Sequence, residues 1–518
     1  MEIFGKTLLT PEQMRAMEQM YFAEEGVKSI DVMERAAAAL VALLEERFRP
    51  GKTVFFACGP GGNGGDGLAA ARLLKARGGD AALVLAEEPK SADAVENLRR
   101  ARQAGVREIA VDSPERPDVW VDALFGTGLS RAPAGNAAAL IDRMNRDQLR
   151  HGAKTVSVDI PSGLSGLSGQ AFPHCVQADI TLALQCAKTG HYLGDGLDAC
   201  GEIRTADIRI HATETFLEQL SAAGHVVLFT KPQDYLPQYL RNTHKGTRGH
   251  VLAVAGSVGM AGAAALCAGA ALRSGAGLVT VACPASIVPI LQVLEPCAMC
   301  VPLPEKDGAL CAEAADVLWD LRDGKSIVAG PGLSRRCAPE VLEALLAEKD
   351  GRREKIVLDA DALNILSERR ELLSLLDASC ILTPHPGEAK RLLGRELSDP
   401  VSDARALAAL GGESGCRVVL KGASRVICEL PASKRPVLVS ATGCAGMAKG
   451  GSGDVFAGLL AGLRACEWFN TAAACEIHGL AGVLAGEKYG ETAMTARNIL
   501  EMLPEAFRRL EQKRDEKP

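Results

Sequence analysis

The sequence predicts an α/β protein of two domains, each a largely parallel sheet with helices on both faces. Three observations carry that expectation. The chain has 518 residues, well beyond the roughly 250–300 at which a single core stops growing. Short apolar runs alternate with helically spaced segments, the pattern of parallel strands joined by crossover helices. That alternation lapses over "HATETFLEQLSAAGHVV", residues 211–227, and restarts at "HVLAVAGS", residues 250–257. The boundary is therefore set between residues 222 and 223, giving domains 1–222 and 223–518.

In chain order, the first domain offers strands at 53–58, 81–86, 107–111, 117–123, 154–160 and 178–184. Helices are expected at 11–25, 31–47, 66–77, 91–104 and 135–150. The second domain offers strands at 250–257, 278–282, 325–329, 355–359, 379–383, 416–420 and 424–428. Its helices are expected at 261–275, 452–466, 470–487 and 494–511, and their Ala- and Gly-rich faces predict close packing. The two halves share an architecture class but not their motifs.

Composition excludes several functions. Only 3 Trp, 5 Tyr and 12 Phe leave no stacking platform for single strands, and a net charge of −6 gives no broad basic face, so no nucleic acid is expected. No apolar run reaches the length of a membrane span, and "MEIFGKTLLTPEQ" lacks the basic and apolar regions of a secretory signal. The 16 cysteines are scattered through apolar segments, as reduced thiols of a cytoplasmic protein would be. Cys297 and Cys300 form a lone CxxC without the second ligand pair that zinc requires.

The segment "GPGGNGGDG" places six glycines in nine positions, 59–67, between a strand and a helix. Free N–H groups at such a helix start suit a phosphate. Gly59, Gly61 and Gly64 satisfy the dinucleotide fingerprint and Glu87 stands where a ribose-binding acid is found, so a bound NAD is one reading. Asn63 and Asp66 add polar groups that neither the fingerprint nor packing requires. "VDALFGTGLSRAP" and "VSVDIPSGLSG" end two further strands with Asp122 and with Asp159 and Ser162. Strand ends are where open parallel sheets bind ligands, and Asn, Asp and Ser oxygens suit a hard cation.

Together with "LTPEQMRAMEQ" and "VMERAA", these motifs, in order over residues 1–220, resemble the NAD(P)H-hydrate epimerase domain, a Rossmann-like three-layer fold. The resemblance implies that Gly62, Asn63, Gly64, Gly65 and Asp66 contact the hydrated dinucleotide. It implies the same for Gly126, Thr127, Gly128, Leu129, Ser130, Arg131 and Ala132, and for Asp159. Asn63, Asp122 and Ser162 would hold a potassium ion, K+. Asp159 is the candidate acid/base, with Lys188 of "CAKTG" behind it. Gly62 stands where the family often has Asn, a change that spares backbone contacts but not a side-chain contact.

In the second half, "TGCAGMAKGGSGDVFAGLLAG" runs from Thr442 to Gly462. Gly450, Gly451, Ser452 and Gly453 lead into a helix expected near Asp454, so their N–H groups can surround an anionic oxygen. Asp454 stands beside that anion hole, placed to accept a proton from an attacking hydroxyl, as phosphoryl transfer requires. "GPGLS", "LDADALN", "TPHPGEAKRLLG" and "KGASR" each follow a strand candidate. His385 is stiffened by flanking prolines, and Lys421 ends a strand where its ammonium can reach phosphates.

Over residues 235–510 these motifs resemble the ribokinase-like superfamily and, more narrowly, the ADP-dependent (S)-NAD(P)H-hydrate dehydratase. The resemblance implies that Ala263, Gly332, His385 and Asp454 contact the hydrate. Lys421, Gly422, Ala423, Ser424, Arg425 and Gly453 would bind the adenine nucleotide. Cys444 and Ala445 replace a frequent Asn-Pro, and Ser452 replaces a frequent Thr. The implied substrates are the hydrates of NADH and NADPH (NADHX and NADPHX), with ADP as co-substrate yielding AMP and phosphate. Magnesium, Mg2+, is implied for the phosphates, and a homo-oligomer is expected. The first domain would interconvert the two epimers, by loss of water or by ring opening, and the second would dehydrate the S form. A ribokinase-like small-molecule kinase fused to a non-catalytic dinucleotide-binding scaffold module is the alternative.

Overall fold

The computed structural model describes residues 6–236, 241–430, 435–467 and 469–515. The chain divides into two compact units between Val227 and Leu228.

The first unit contains β1 (Thr53–Cys58), β2 (Asp80–Leu85), β3 (Arg107–Glu108), β4 (Val119–Ala123), β5 (Lys154–Val158), β6 (Ile180–Leu184) and β7 (Glu202–Ala206). They form one sheet in the order β3-β2-β1-β4-β5-β6-β7, every pair parallel. Alternation along β1 builds the layers, because successive side chains leave opposite faces of a strand. Val54, Phe56 and Cys58 enter one core with Leu40, Leu68 and Leu98 from the helices Ser29–Arg47, Gly62–Ala76 and Ala92–Gln103. Phe55 and Ala57 enter the other core, with Trp120 and with Leu140, Ile141 and Met144 of the helix Gly135–His151. The helices after β1 and β4 thus cover opposite faces, which opens a crevice at the carboxyl ends of these neighbouring strands.

The second unit contains β8 (His250–Val254), β9 (Leu278–Pro284), β10 (Met299–Leu303), β11 (Ser326–Ala329), β12 (Lys355–Leu358), β13 (Cys380–Leu382), β14 (Arg417–Leu420), β15 (Arg425–Cys428) and β16 (Val437–Ser440). Their order is β16-β15-β14-β13-β12-β11-β8-β9-β10. The run from β14 to β10 is parallel, whereas β15 and β16 turn back antiparallel. Here β8 and β11 flank the crevice. One face is covered by the helices Ala261–Arg273 and Ser452–Ala465. A Cβ at Gly458 would stand 2.0 Å from the Cys267 carbonyl oxygen, so the helices meet where glycine admits a backbone.

Several elements differ from the sequence expectation. The helix expected at 66–77 begins at Gly62, so Asn63 and Asp66 lie in its first two turns rather than in a loop. The strands β7, β10 and β16 and the short helices Pro339–Leu346, Pro386–Leu393 and Pro400–Ala408 were not expected from periodicity. They are too short for a helical or alternating period to stand out.

Two candidate active sites at strand ends

In the first unit the glycines divide into two sets. Gly59, Gly64 and Gly67 are packed: a Cβ there would stand 1.9 Å from the Leu124 oxygen, 1.9 Å from the Gly59 oxygen and 2.6 Å from the Ala123 Cβ. Gly61 and Gly62 have open space where a Cβ would be. The packed glycines let the helix start approach β4, and the open ones leave its N–H groups accessible. Asn63 follows, with a buried side-chain nitrogen that has no partner and an amide facing Gly126.

Asp122, at the end of β4, is fully buried. It accepts from the Ser157 and Ser162 hydroxyls at 2.9 and 2.6 Å and from the Ser162 and Leu124 N–H groups at 2.8 and 3.3 Å. The Phe125 N–H donates to the Ser162 hydroxyl at 2.8 Å. Burial pushes the Asp122 carboxyl pKa up, and no cationic side chain pairs with it among the described residues. The loop Gly126–Ala132 starts immediately beyond, largely exposed.

Asp159 and Lys188 form the second part of this site. Asp159 is held at φ +67, a left-handed conformation that costs free energy outside glycine and marks a constrained position. Lys188, 1% exposed, donates to the Asp159 carboxylate and to the Leu184 carbonyl. His191 locks the pair: its Nε2 lies 2.9 Å from the Asp159 carbonyl oxygen and its Nδ1 accepts from the Lys188 N–H at 3.0 Å. Burial, and then the Lys188 charge, lower the imidazole pKa to about 4, so His191 is a neutral strut. Asp66 is raised well above the usual carboxylate range by burial and then by the charges of Asp159 and Glu18. Glu18, half-buried on the helix Pro11–Glu25, is likewise raised by burial and by Asp159. Glu18 and His191 were not among the expected site residues. Leu9 bridges Lys188 in parallel fashion, which brings the helix carrying Glu18 to the site, and nothing local to either segment announces that contact.

In the second unit, Ser257 at the end of β8 donates to the Gly332 carbonyl at 2.9 Å. Gly332 has φ +61, and a Cβ there would stand 2.9 Å from that of Ala263. These two expected substrate contacts therefore line one wall of the crevice. Asp359, buried at the end of β12, accepts from Lys421 Nζ at 2.6 Å and from the Thr383 hydroxyl at 2.8 Å. A Cβ on Gly453 would lie 3.3 Å from Lys421 Nζ and 3.5 Å from Asp359 Oδ2. The ammonium thus sits against the N-terminus of the helix Ser452–Ala465, whose N-cap Gly451 takes φ +94.

Asp454 stands in the first turn of that helix. The helix terminus alone would favour its ionised form. Burial, opposed by Lys421 but reinforced by Asp359 and Asp361, instead raises its pKa to about 7. His385 caps the helix Pro386–Leu393: its Nδ1 accepts from the Gly387 N–H at 3.0 Å, and its own N–H donates to Glu388 at 2.8 Å. Burial of Glu388 brings that carboxyl to about 7, and burial followed by the Lys421 and Arg391 charges lowers His385. Arg425, expected at the nucleotide, points inward: it donates to the Thr442 carbonyl at 3.0 Å and lies 2.9 Å from His478 Nδ1. Gly422 and Ala423 stay on the more open turn before β15. Asp359, Asp361, Thr383 and Glu388 were not among the expected site residues, although they lie in "LDADALN" and "TPHPGEAKRLLG".

Among the described residues, no three or more His, Cys, Asp or Glu side chains converge as a metal centre. No helix among them is long and apolar enough to cross a membrane, and all sixteen cysteines are free thiols.

Comparison with known proteins matches both units. Residues 251–505 match the family described as NAD(P)H-hydrate dehydratase, and residues 29–190 match that described as YjeF-related protein N-terminus. The bifunctional NAD(P)H-hydrate repair enzyme Nnr of Moorella thermoacetica is 34% identical over 98% of this chain and 97% of its own length. The enzyme of the same name from Thermofilum pendens is 32% identical over 96% of this chain and 95% of its own. A solved ADP/ATP-dependent NAD(P)H-hydrate dehydratase of Bacillus subtilis, co-crystallised with ATP and Mg2+, is similar at 26% identity and a TM-score of 0.44, covering 54% of this chain and 96% of that one.

Proposed function

We infer that this chain, which belongs to the family of bifunctional NAD(P)H-hydrate repair enzymes, returns both epimers of hydrated NADH and NADPH to the working cofactor. The observation that carries the reading is one acid-centred strand-end site in each unit, in a chain that aligns over nearly its whole length with relatives of that name. We assign the epimerase to residues 1–222 and the ADP-dependent dehydratase to residues 223–518.

In the dehydratase site, Asp454 accepts the proton of the C6 hydroxyl. A pKa of about 7 suits that task, because a base works best when its pKa lies near the working pH. The freed oxygen attacks the terminal phosphorus of ADP, and the bond to the bridging oxygen breaks to release AMP. Phosphate then leaves C6 with the bonding electrons, pushed out by the ring nitrogen, and loss of a C5 proton restores NAD(P)H. The step is easy because phosphate, with a second pKa near 6, replaces hydroxide as leaving group. Lys421 and the N–H groups of Gly450 to Gly453 bear the charge of the transferred group. Mg2+ would neutralise phosphate oxygens. The nearby acids Asp359 and Asp361 already accept from Lys421 and from the Ser334 N–H, so the ion would enter with the nucleotide.

In the epimerase site, Asp159 moves the proton at the C6 oxygen, and Lys188, which donates to that carboxylate and to the Leu184 carbonyl, keeps it aimed. The oxygen set of Asn63, Asp122 and Ser162 fits K+: the buried Asp122 charge lacks a cationic partner among the described residues, and the Asn63 Oδ1 faces the loop after Asp122, 3.5 Å from where a Cβ on Gly126 would stand. The ion would supply the missing positive charge and fix the loop Gly126–Ala132 over the substrate. The same reading makes the protein cytoplasmic and a homo-oligomer, which light scattering measures.

The test is to supply mixed epimers with ADP and follow the return of NADPH absorbance. Full recovery in K+ is expected. In Li+, or with Asn63→Ala, recovery should stall once the S-epimer is consumed, apart from slow spontaneous epimerisation. A chain that phosphorylates a small hydroxylated compound but leaves the hydrate untouched would be a kinase instead.

A further inference from the structure

On the helix Pro386–Leu393 a basic face runs outward from His385, and the dehydratase reading gives it no task. Gly387, Lys390, Arg391, Gly394, Arg395 and Glu396 line a groove of about 520 Å³ along it. Two of its cations are already neutralised: Lys390 pairs with Glu396 at 2.5 Å and Arg395 with Asp403 at 2.8 Å. Arg391 differs. Its guanidinium donates twice to the Asn364 side-chain oxygen Oδ1, at 3.1 and 2.8 Å, and among the described residues it pairs with no carboxylate. A neutral amide thus fixes the fork while leaving its charge uncompensated.

Its position is tied to the site. A Cβ on Gly387 would stand 2.9 Å from the His385 ring and 3.7 Å from the Arg391 guanidinium, so both groups lie over that glycine. Asn364 in turn donates to Asp361 at 3.2 Å, and Asp361 accepts from the Ser334 N–H at 2.9 Å, two residues beyond Gly332. One hydrogen-bonded chain therefore links Arg391 to the loop that forms the substrate wall. A dinucleotide whose reacting ring lies between Asp454 and His385 must lead its phosphates out of the crevice, and a planar, preoriented guanidinium recognises phosphate bidentately.

Resting on the dehydratase reading of this unit, we propose that Arg391 binds a phosphate of the hydrated dinucleotide and that the groove beyond it takes the rest of the molecule. The phosphate is either the pyrophosphate common to both hydrates or the 2′-phosphate of NADPHX alone.

Steady-state kinetics of the full chain with each S-hydrate separate the two sources. Arg391→Gln should raise the KM of the hydrate about ten- to a hundredfold, the effect of losing a charge-assisted hydrogen bond, and leave the KM of ADP unmoved. A rise for both hydrates identifies the pyrophosphate, and a rise for NADPHX alone identifies the 2′-phosphate. Arg391→Lys should restore part of the loss, since it returns the charge but not the fork. Unchanged KM values for both hydrates would overturn the proposal, as would an equal loss for ADP and hydrate with a lowered melting temperature. Calorimetric binding of NAD+ and NADP+ reads the same phosphates without turnover. A wild-type chain inert towards the hydrate would sink the functional reading, while equal binding of NADP+ by wild type and Arg391→Gln, or none, would still overturn this one.

Discussion

The two units solve one problem differently. Each places a glycine-rich helix start and an aspartate at the carboxyl ends of parallel strands. In the first, Asp159 is clamped in a left-handed conformation against the buried Lys188, with His191 behind. In the second, the lysine is drawn to another acid: Lys421 pairs with Asp359, and burial, reinforced by Asp359 and Asp361, raises the pKa of Asp454 to about 7. A buried pair fixes where a carboxylate points, whereas a buried acid without a lysine of its own, beside other acids, can take and return a proton near neutrality. Both units share a glycine-rich helix start beside the acid, and they differ in what the acid is paired with.

The sharpest way to break this contrast is Asp454→Asn. It should lower dehydration by about 10²–10⁴-fold, the range for a lost general base, while ADP still raises the melting temperature. Retained turnover would place the proton acceptor elsewhere. The corresponding cut in the first unit is Lys188→Met, which leaves Asp159 without its buried counter-charge. Breaking a buried pair in this way costs about 3–5 kcal/mol; chemical denaturation should show the first unit destabilised and the R-epimer no longer consumed. Because Lys188 is held inside the pair, loss of activity without loss of stability would contradict the clamp.

The third test is pH. A base with a pKa of about 7 is active when deprotonated, so dehydration kcat/KM should climb roughly tenfold per pH unit below neutrality and level off above it. The stability sign follows from the same shift. The folded carboxyl holds its proton up to about 7 while the unfolded one loses it near the ordinary aspartate value of 3.8, so ionisation of Asp454 disfavours the folded state as pH rises through that window. Asp454→Asn should therefore melt higher than the parent at pH 8, with the gap closing towards pH 4. The smallest expected effect is Gly62→Asn. That helix position has open space at its Cβ, and asparagine is less costly than glycine within a helix. Thermal melting should show stability unchanged or slightly raised, and tighter hydrate binding would show that an asparagine side chain there can reach substrate.

Much of the site was legible before the fold. Asn63, Asp122, Asp159, Ser162, Asp454 and Lys421 were readable because each lies within a few residues of a glycine turn that follows an apolar run. Glu18 was not, because it reaches its neighbours through the Leu9–Lys188 bridge. The direction of Arg425 was not legible for a related reason: it stands at the start of an expected strand, but only the pairing of β15 beside β14 carries its guanidinium to His478.

What the sequence determined by itself is the alternation of strand and helix, the two junctions where helix N-termini lie bare, and the kinds of oxygen and nitrogen brought to them. These are local properties, set by side-chain period and by where glycine permits a turn. Tertiary structure decided the strand order that opens a crevice in each sheet, and which acid each lysine neutralises. Lys421 and Asp359 are 62 residues apart, and Lys188 and Asp159 are 29 apart. Charges interact through space and through the local dielectric, and both exist only once the sheets are built.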